Sequence, residues 1–254
     1  MTDSEYFALN AVNASTLKKY ATMSPYEAKW SVSHNASTAA LLTGSAVHSM
    51  TLRSGPEVLR MESKTRSSAA GRAEFEQITN AGKIGLLADE YDDAAAMTKS
   101  LTKLLDVYCL RENAIVEKVI LWQNNETKCK AKIDMMITEG WLSGNVIDIK
   151  TTSSELDDES LGKAVLNYGY HIQDAWYSMA FQELTGQWPE FRFAFVKKTP
   201  PYAARIVRLD DQSREIGMQT ALTALNKYNE CAKNNDWPGP SQDEIITLPR
   251  WAKQ

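Results

Sequence analysis

Two carboxylates and an amine fall within a span of 17 residues: Asp134, Asp148 and Lys150. In the stretch NVIDIKTTSS, residues 145–154, Asp148 and Lys150 are two positions apart in an otherwise apolar run. Side chains of a strand alternate, so this pair points one way while Ile147 and Ile149 point the other. Taken alone, the triplet is equally a half-exposed strand with an ion pair on its wet side. Asp134 supplies a partner, because it lies on the preceding strand-like segment and a short turn would bring the two acids face to face. Two carboxylates held together repel unless a cation sits between them. All-oxygen ligation of this kind suits Mg²⁺, with Mn²⁺ able to substitute, better than zinc. Lys150 beside them could hold a water or hydroxide, or balance charge growing on a phosphate oxygen. Together these groups are equipped for metal-assisted hydrolysis of a phosphodiester.

Three further sites could complete the set. GSAVH places Gly44 and His48 four apart on an expected helix, where one imidazole nitrogen could finish a metal's coordination. A lone helical histidine is otherwise a satisfied, half-buried residue. QDAWY places Gln173 and Tyr177 one helical turn apart on one face, which could also be plain packing of a nearly apolar helix. Glu117, on an earlier strand, is a polar candidate or a solvated strand residue.

The elements that must carry these residues are readable from periodicity. NASTLKKYATMSPYEAKW reads as a capped helix starting at Asn13 or Ser15, then a second short helix with Pro25 in its first turn. TAALLTGSAVHSMTL has Leu41, Leu42, Val47, Met50 and Leu52 at helical spacing. Residues 53–87 read as a loop-rich, basic excursion with Arg53, Arg60, Lys64, Arg66, Arg72 and Lys83. A strongly amphipathic helix follows from Asp89. Segments 114–122, 127–137 and 145–150, joined by the turns NNE and TEGWLSG, predict an antiparallel meander. One long helical region is expected over about 160–184, then strands FRFAFVKK and AARIVRL, a last helix over 211–235 and a Trp- and Pro-rich tail. That order predicts an α+β fold with helices against a mixed sheet.

The bulk numbers allow a soluble chain with a real core. Of 254 residues, 43% are hydrophobic and 24% charged, and the formal net charge is −4. An acidic balance does not exclude nucleic acid, because a groove can be locally basic. Cys109, Cys129 and Cys231 are widely spaced, which excludes a C-x-x-C zinc or cluster site and suggests a reducing compartment. No apolar run is long enough to span a bilayer, so a cytoplasmic location and no membrane partner are expected.

In this order, G-x-x-x-H (Gly44, His48), a strand aspartate (Asp134), D-x-K-T (Asp148, Lys150, Thr151) and Q-x-x-x-Y (Gln173, Tyr177) resemble the RecB-type branch of the PD-(D/E)xK nucleases. The opening STLKKYATMSPYEAKW is similar to that branch's N-terminal motif, and the layout looks most like the RecE-type exonucleases (exodeoxyribonuclease VIII) over residues 13–235. The resemblance implies a restriction-endonuclease-like core in one nuclease domain, 1–254: N-terminal helices 13–52, a basic insertion 53–88, the nuclease core 89–210, and a C-terminal helix and tail 211–254. It implies Mg²⁺ held by His48, Asp134, Asp148 and the Ile149 carbonyl, Lys150 activating the attacking water, and Gln173 and Tyr177 lining the site. Glu117 would sit at the cleft. Phosphate contacts would fall to Arg53, Lys64, Arg66, Arg72, Thr151 and Thr152. The implied activity is processive 5′→3′ digestion of double-stranded DNA by a bacterial or phage-encoded, ring-shaped homo-oligomer (trimer or tetramer), leaving 3′ tails for a RecT-like annealing protein. An endonuclease on the same core, or a non-catalytic DNA-binding subunit, are the competing readings.

Overall fold

The computed structural model describes residues 1, 3–34, 39–111, 113–140, 142–242, 245 and 247. Thr38 at the start of the expected third helix, Trp141 in the expected turn and most of the tail beyond Gln242 lie outside them. Along the chain come α1 (Asp3–Ala8), α2 (Ala14–Thr22), α3 (Pro25–Ser33), α4 (Ala39–Leu52), β1 (Val58–Arg60), α5 (Ala69–Asn80), β2 (Ile84–Leu86) and α6 (Ala88–Val107). Then follow β3 (Ile115–Asn124), β4 (Thr127–Ile137), β5 (Asn145–Thr152), α7 (Asp158–Asn167), α8 (Tyr170–Thr185), β6 (Glu190–Lys197), β7 (Ala204–Val207) and α9 (Asp211–Asn234).

Local chemistry sets the helix starts. Asn13 Oδ1 accepts the Thr16 N–H at 2.9 Å, so α2 begins at the first of its two expected caps. Ser24 and Glu27 form a reciprocal capping box, and Pro25 occupies the first turn of α3. The single long helix expected over about 160–184 is in fact two. Gly169, at φ 63°, takes a left-handed conformation between α7 and α8. A side chain there would also press on Lys18, since a Cβ would lie 3.1 Å from its Cγ.

The main sheet has five strands in the order β3-β4-β5-β6-β7. The first three are an antiparallel meander, β5 and β6 are parallel, and β7 returns antiparallel. The β3–β4 hairpin closes on Asn124↔Thr127, with Asn125 at φ 52° in a two-residue turn. One face of the sheet packs Ile133, Val146, Phe191, Phe193 and Phe195 against α2, α7, α8 and α9. The other packs Met135, Ile147, Ile149 and Ala194 against α4, α6 and the small strands β1 and β2. This is the expected α+β architecture, a mixed sheet between two helical layers.

Residues 53–88 correct the sequence reading. They form a parallel β1–α5–β2 unit, with Val58 opposite Ile84 and Arg60 opposite Leu86. Its strands are three residues long, and α5 buries only Gly71. Neither leaves a periodic apolar signal. Among the described residues, no helix is long and apolar enough to cross a membrane.

Candidate active site

The site lies where two strands part. β4 and β5 pair only from Ile137↔Asn145 to Met135↔Ile147. Beyond that point β5 stays on β6 as far as Thr152↔Lys197, and β4 stays on β3. The N-terminal segment fills part of the gap: Val12 N–H donates to the Lys128 carbonyl at 2.9 Å, and its carbonyl accepts from Lys130 N–H at 2.8 Å. In the crotch, Asp134 Oδ2 takes the Ile149 N–H at 2.8 Å, replacing the ladder carbonyl that β4 no longer offers.

A kink aims Asp134. Ile133 packs on the α8 side of the sheet and Met135 on the α4 side, although residues two apart on a regular strand share a face. Facing it on β3, Glu117 adopts φ 49° between the pairs Val116↔Met135 and Lys118↔Ile133. A non-glycine residue in that region costs on the order of 1 kcal/mol or more, a strain that gathers at functional sites. Glu117 itself accepts from Ser54 Oγ at 2.8 Å and pairs with Lys132 at 2.8 Å.

His48, on α4, bridges the two halves of the site. Its Nε2 lies 2.7 Å from the Ile149 carbonyl and its Nδ1 lies 3.4 Å from Asp134 Oδ2. A carbonyl only accepts, so Nε2 carries a proton. Nδ1 then faces a carboxylate oxygen at 3.4 Å, an approach that a cation between them would favour. Gly44, one turn earlier on α4, lies against β5, where a Cβ would make ordinary contact with Thr151 Oγ1 at 3.6 Å.

On the other side, Asp148 is buried. Its Oδ1 accepts from Gln173 Nε2 at 2.7 Å, and its Oδ2 lies 2.5 Å from Lys150 Nζ. The lysine contact is a close ion pair without hydrogen-bond alignment, which leaves that buried oxygen with no aligned donor. Burial raises the Asp134 pKa above the usual carboxylate range; His48 opposes that shift and the Asp148 charge adds to it. Burial works against the Lys150 charge, but Asp148 and Asp134 outweigh it and its pKa is raised. Tyr177 is pushed well up by burial and then by Asp148 and Asp134. It lies behind the cleft, not on its wall.

These groups open into a cleft of about 740 Å³. Its walls carry His48, Asp134, Ile149, Lys150, Thr151, Thr152, Gln173 and Glu117, eight of the residues singled out from sequence. Arg53, Lys64, Arg66 and Arg72 are not on it. Arg66 is engaged elsewhere, in a two-pronged bond to Glu90 at 2.8 and 2.5 Å, and Arg72 donates to the Ser67 carbonyl. The sequence reading missed Lys18, Lys132, Lys198 and Tyr170 as cleft residues. Lys132 had a signal in the alternation of β4. Lys18 and Tyr170 had none, since only the packing of α2 on α8 brings them there. Lys150 Nζ and Lys18 Nζ lie 4.9 and 5.0 Å from the centre of the Tyr170 ring.

Among the described residues, no three His, Cys, Asp or Glu side chains stand as a ready metal cage. The donors nevertheless fit a hard divalent ion in type: two carboxylates, a carbonyl and an imidazole. The approach of His48 Nδ1 to Asp134, and the buried Asp148 oxygen without an aligned donor, are features that such an ion would suit.

A mixed sheet between helices, with Asp134 on one strand and an Asp148–x–Lys150 triplet on the next at a splayed pair, defines a PD-(D/E)xK nuclease fold. Residues 13–245 match the PDDEXK-like domain of unknown function (DUF3799), and the chain belongs to that family. No match was found among curated proteins. The fold is similar to that of a provisionally named exonuclease from Eubacterium rectale, with TM-score 0.64 and 17% identity over 97% of this chain and 96% of that one. A phage-related exonuclease from Haemophilus somnus 129PT aligns at TM-score 0.41 and 10% identity, over 92% of this chain and 100% of that one. That second likeness is too slight to carry an argument.

Proposed function

We propose that the chain is a divalent-metal-dependent exonuclease of double-stranded DNA, of RecE type, working 5′→3′ with Mg²⁺ or Mn²⁺. The observation that carries this reading is the convergence of Asp134, Lys150 and His48 in one lysine-walled cleft, with Asp148 buried against Lys150 just behind its wall. His48, Asp134, Asp148 and the Ile149 carbonyl would hold the metal. When bound, such an ion polarises a phosphoryl oxygen and acidifies water.

The chain's own residues do the rest. Lys150, kept as an ammonium by its acids, donates to the attacking water and to charge gathering on the phosphate. Gln173 holds Asp148 in place. The hydrolysis forms one P–O bond from water and breaks one to the leaving oxygen, which takes up a proton. Lys132, Lys198, Thr151 and Thr152 on the cleft wall would contact phosphates, which hold DNA without reading its sequence. In the same proposal, three or four copies form a closed ring in the bacterial or phage-infected cytoplasm, and 3′ tails pass to a RecT-like annealing protein.

Linear duplex labelled at its 5′ or its 3′ end, incubated with and without Mg²⁺, tests enzyme, cofactor and direction together. Metal-dependent early release of the 5′ label, with supercoiled circles intact, is the expected result. Cutting of the circle would replace the exonuclease with an endonuclease. Absence of any digestion would leave only a DNA-binding role.

A further inference from the structure

Gln173 lies at the centre of a chain of polar contacts that crosses the cleft wall. Its Nε2 donates to Asp148 Oδ1 at 2.7 Å, and its Oε1 accepts from Lys18 Nζ at 2.8 Å. Asp148 Oδ2 then meets Lys150 at 2.5 Å. Asp148 decides which end of the amide it meets, because a carboxylate can only accept. It does not decide where the amide sits. Gln173 is buried, at 7% exposure, and loss of Lys18 would take away the donor its Oε1 has, leaving only Tyr177 or water from the cleft to replace it. The amide would then swing to find one and take its bond to Asp148 with it.

The structure assigns to Lys18 a positioning role: it anchors Gln173, and through Gln173 it fixes the Asp148 carboxylate beside Lys150. This rests on the nuclease reading above and deepens it. The anchor is itself held on three sides. Leu17 and Tyr20 of the same helix are buried in the core under the sheet. The lysine stem runs against Gly169, where a Cβ would lie 3.1 Å from its Cγ, and the ammonium approaches the Tyr170 ring. Burial, and next the nearby Lys150 charge, lower its pKa to about 7, with Asp148 offsetting part of the shift. The amine donates to Gln173 in either protonation state, so the anchor does not depend on the charge. For the same reason Lys18→Met removes a poorly solvated charge and should fold.

The test is steady-state digestion of linear duplex with Mg²⁺ by wild type, Lys18→Met, Lys18→Arg, Lys150→Ala, Gln173→Leu and the Lys18→Met/Gln173→Leu pair. DNA affinity across salt and thermal melts are measured alongside. Lys18→Met is expected to lower kcat roughly 10- to 100-fold, the range for groups that orient an active-site ligand. KM and the salt slope of binding should stay near wild type, Lys18→Arg should recover most of the rate, and the double variant should be no slower than Gln173→Leu alone. Full-rate Lys18→Met would overturn the inference. So would a loss confined to KM with a shallower salt slope, which would make Lys18 a phosphate contact, or losses that add in the double variant. If Lys18→Met does not fold, Lys18→Leu against Lys18→Arg gives the same contrast. A wild type that cuts beside a full-rate Lys18→Met removes this inference only. A wild type that leaves linear duplex intact removes the nuclease reading and, with it, the reaction Lys18 would serve.

Discussion

In the β1–α5–β2 unit the cations are spent on their neighbours. Arg60 pairs with Asp92 at 3.1 Å, Arg66 with Glu90 at 2.5 Å and Lys83 with Glu57 at 2.7 Å. In the cleft, the cations face acids that have other work. Lys150 meets Asp148, and Lys132 meets Glu117, whose backbone is strained to face Asp134. A count of Lys and Arg along the chain ranks the first region above the second. The difference teaches that basic composition locates a phosphate surface poorly. What matters is whether a cation's partner is a local structural acid or part of the reacting site.

The largest expected effect separates the two regions at once. Lys150→Ala should lower digestion by about 10²–10³-fold, the usual loss for a donor aimed at developing charge, with DNA binding kept. Arg66→Met should leave the rate within a few-fold of wild type. Its cost is in stability. Arg66 also donates to the Gly85 carbonyl at 2.9 Å, and Glu90 accepts the Leu87 N–H at 2.9 Å to start α6. The pair is partly exposed, so a loss of roughly 1–2 kcal/mol by urea unfolding is expected. A slow but stable Arg66→Met enzyme would erase the contrast.

A buried acid on the cleft's own helix sharpens it further. Asp174 is one residue from Gln173 but faces α9, with Ser178 Oγ at 3.0 Å and Arg214 at 3.5 Å. Burial raises its pKa from 3.8 to about 6, against the pull of Arg214. A carboxyl whose pKa rises on folding keeps its proton in the native chain after the unfolded chain has released it. Stability therefore falls as pH climbs from 3.8 to about 6 and stays lower above. Asp174→Asn should be more stable than wild type at pH 8, by up to about 3 kcal/mol, and gain nothing near pH 4. Equal pH dependence in both proteins would show that Arg214 satisfies Asp174 after all.

The same contrast explains how much was legible beforehand. Strand alternation put Asp148 and Lys150 on one side and the short turn brought Asp134 near them, but the kink that aims Asp134 and the parting of β4 from β5 were not legible. His48 and Gln173 needed only helical spacing as well. Lys18 was not legible. It is 155 positions from Gln173, in a run where two lysines follow a leucine with nothing to mark which one turns inward. The kink at Glu117 was hidden too, since a glutamate at positive φ has no sequence signature. The β1–α5–β2 unit was read as loop because three-residue strands cannot show alternation.

The smallest effect bears on the comparison most directly. Lys198 lies on the cleft wall just beyond β6, while Lys64 is exposed on the basic unit. Each phosphate contact steepens the fall of log affinity with log salt by about 0.9. Lys198→Ala should therefore flatten that slope by about one unit, and Lys64→Ala should not move it. Titrations of a labelled duplex at four or five salt concentrations, with Ca²⁺ in place of Mg²⁺ to hold back cutting, would measure both. At a single salt concentration the change in affinity would be only a few-fold, so the slope is the quantity to read. If Lys64 moves it and Lys198 does not, the duplex runs over the β1–α5–β2 unit. The arginine-rich region would then be the DNA surface that its composition first suggested.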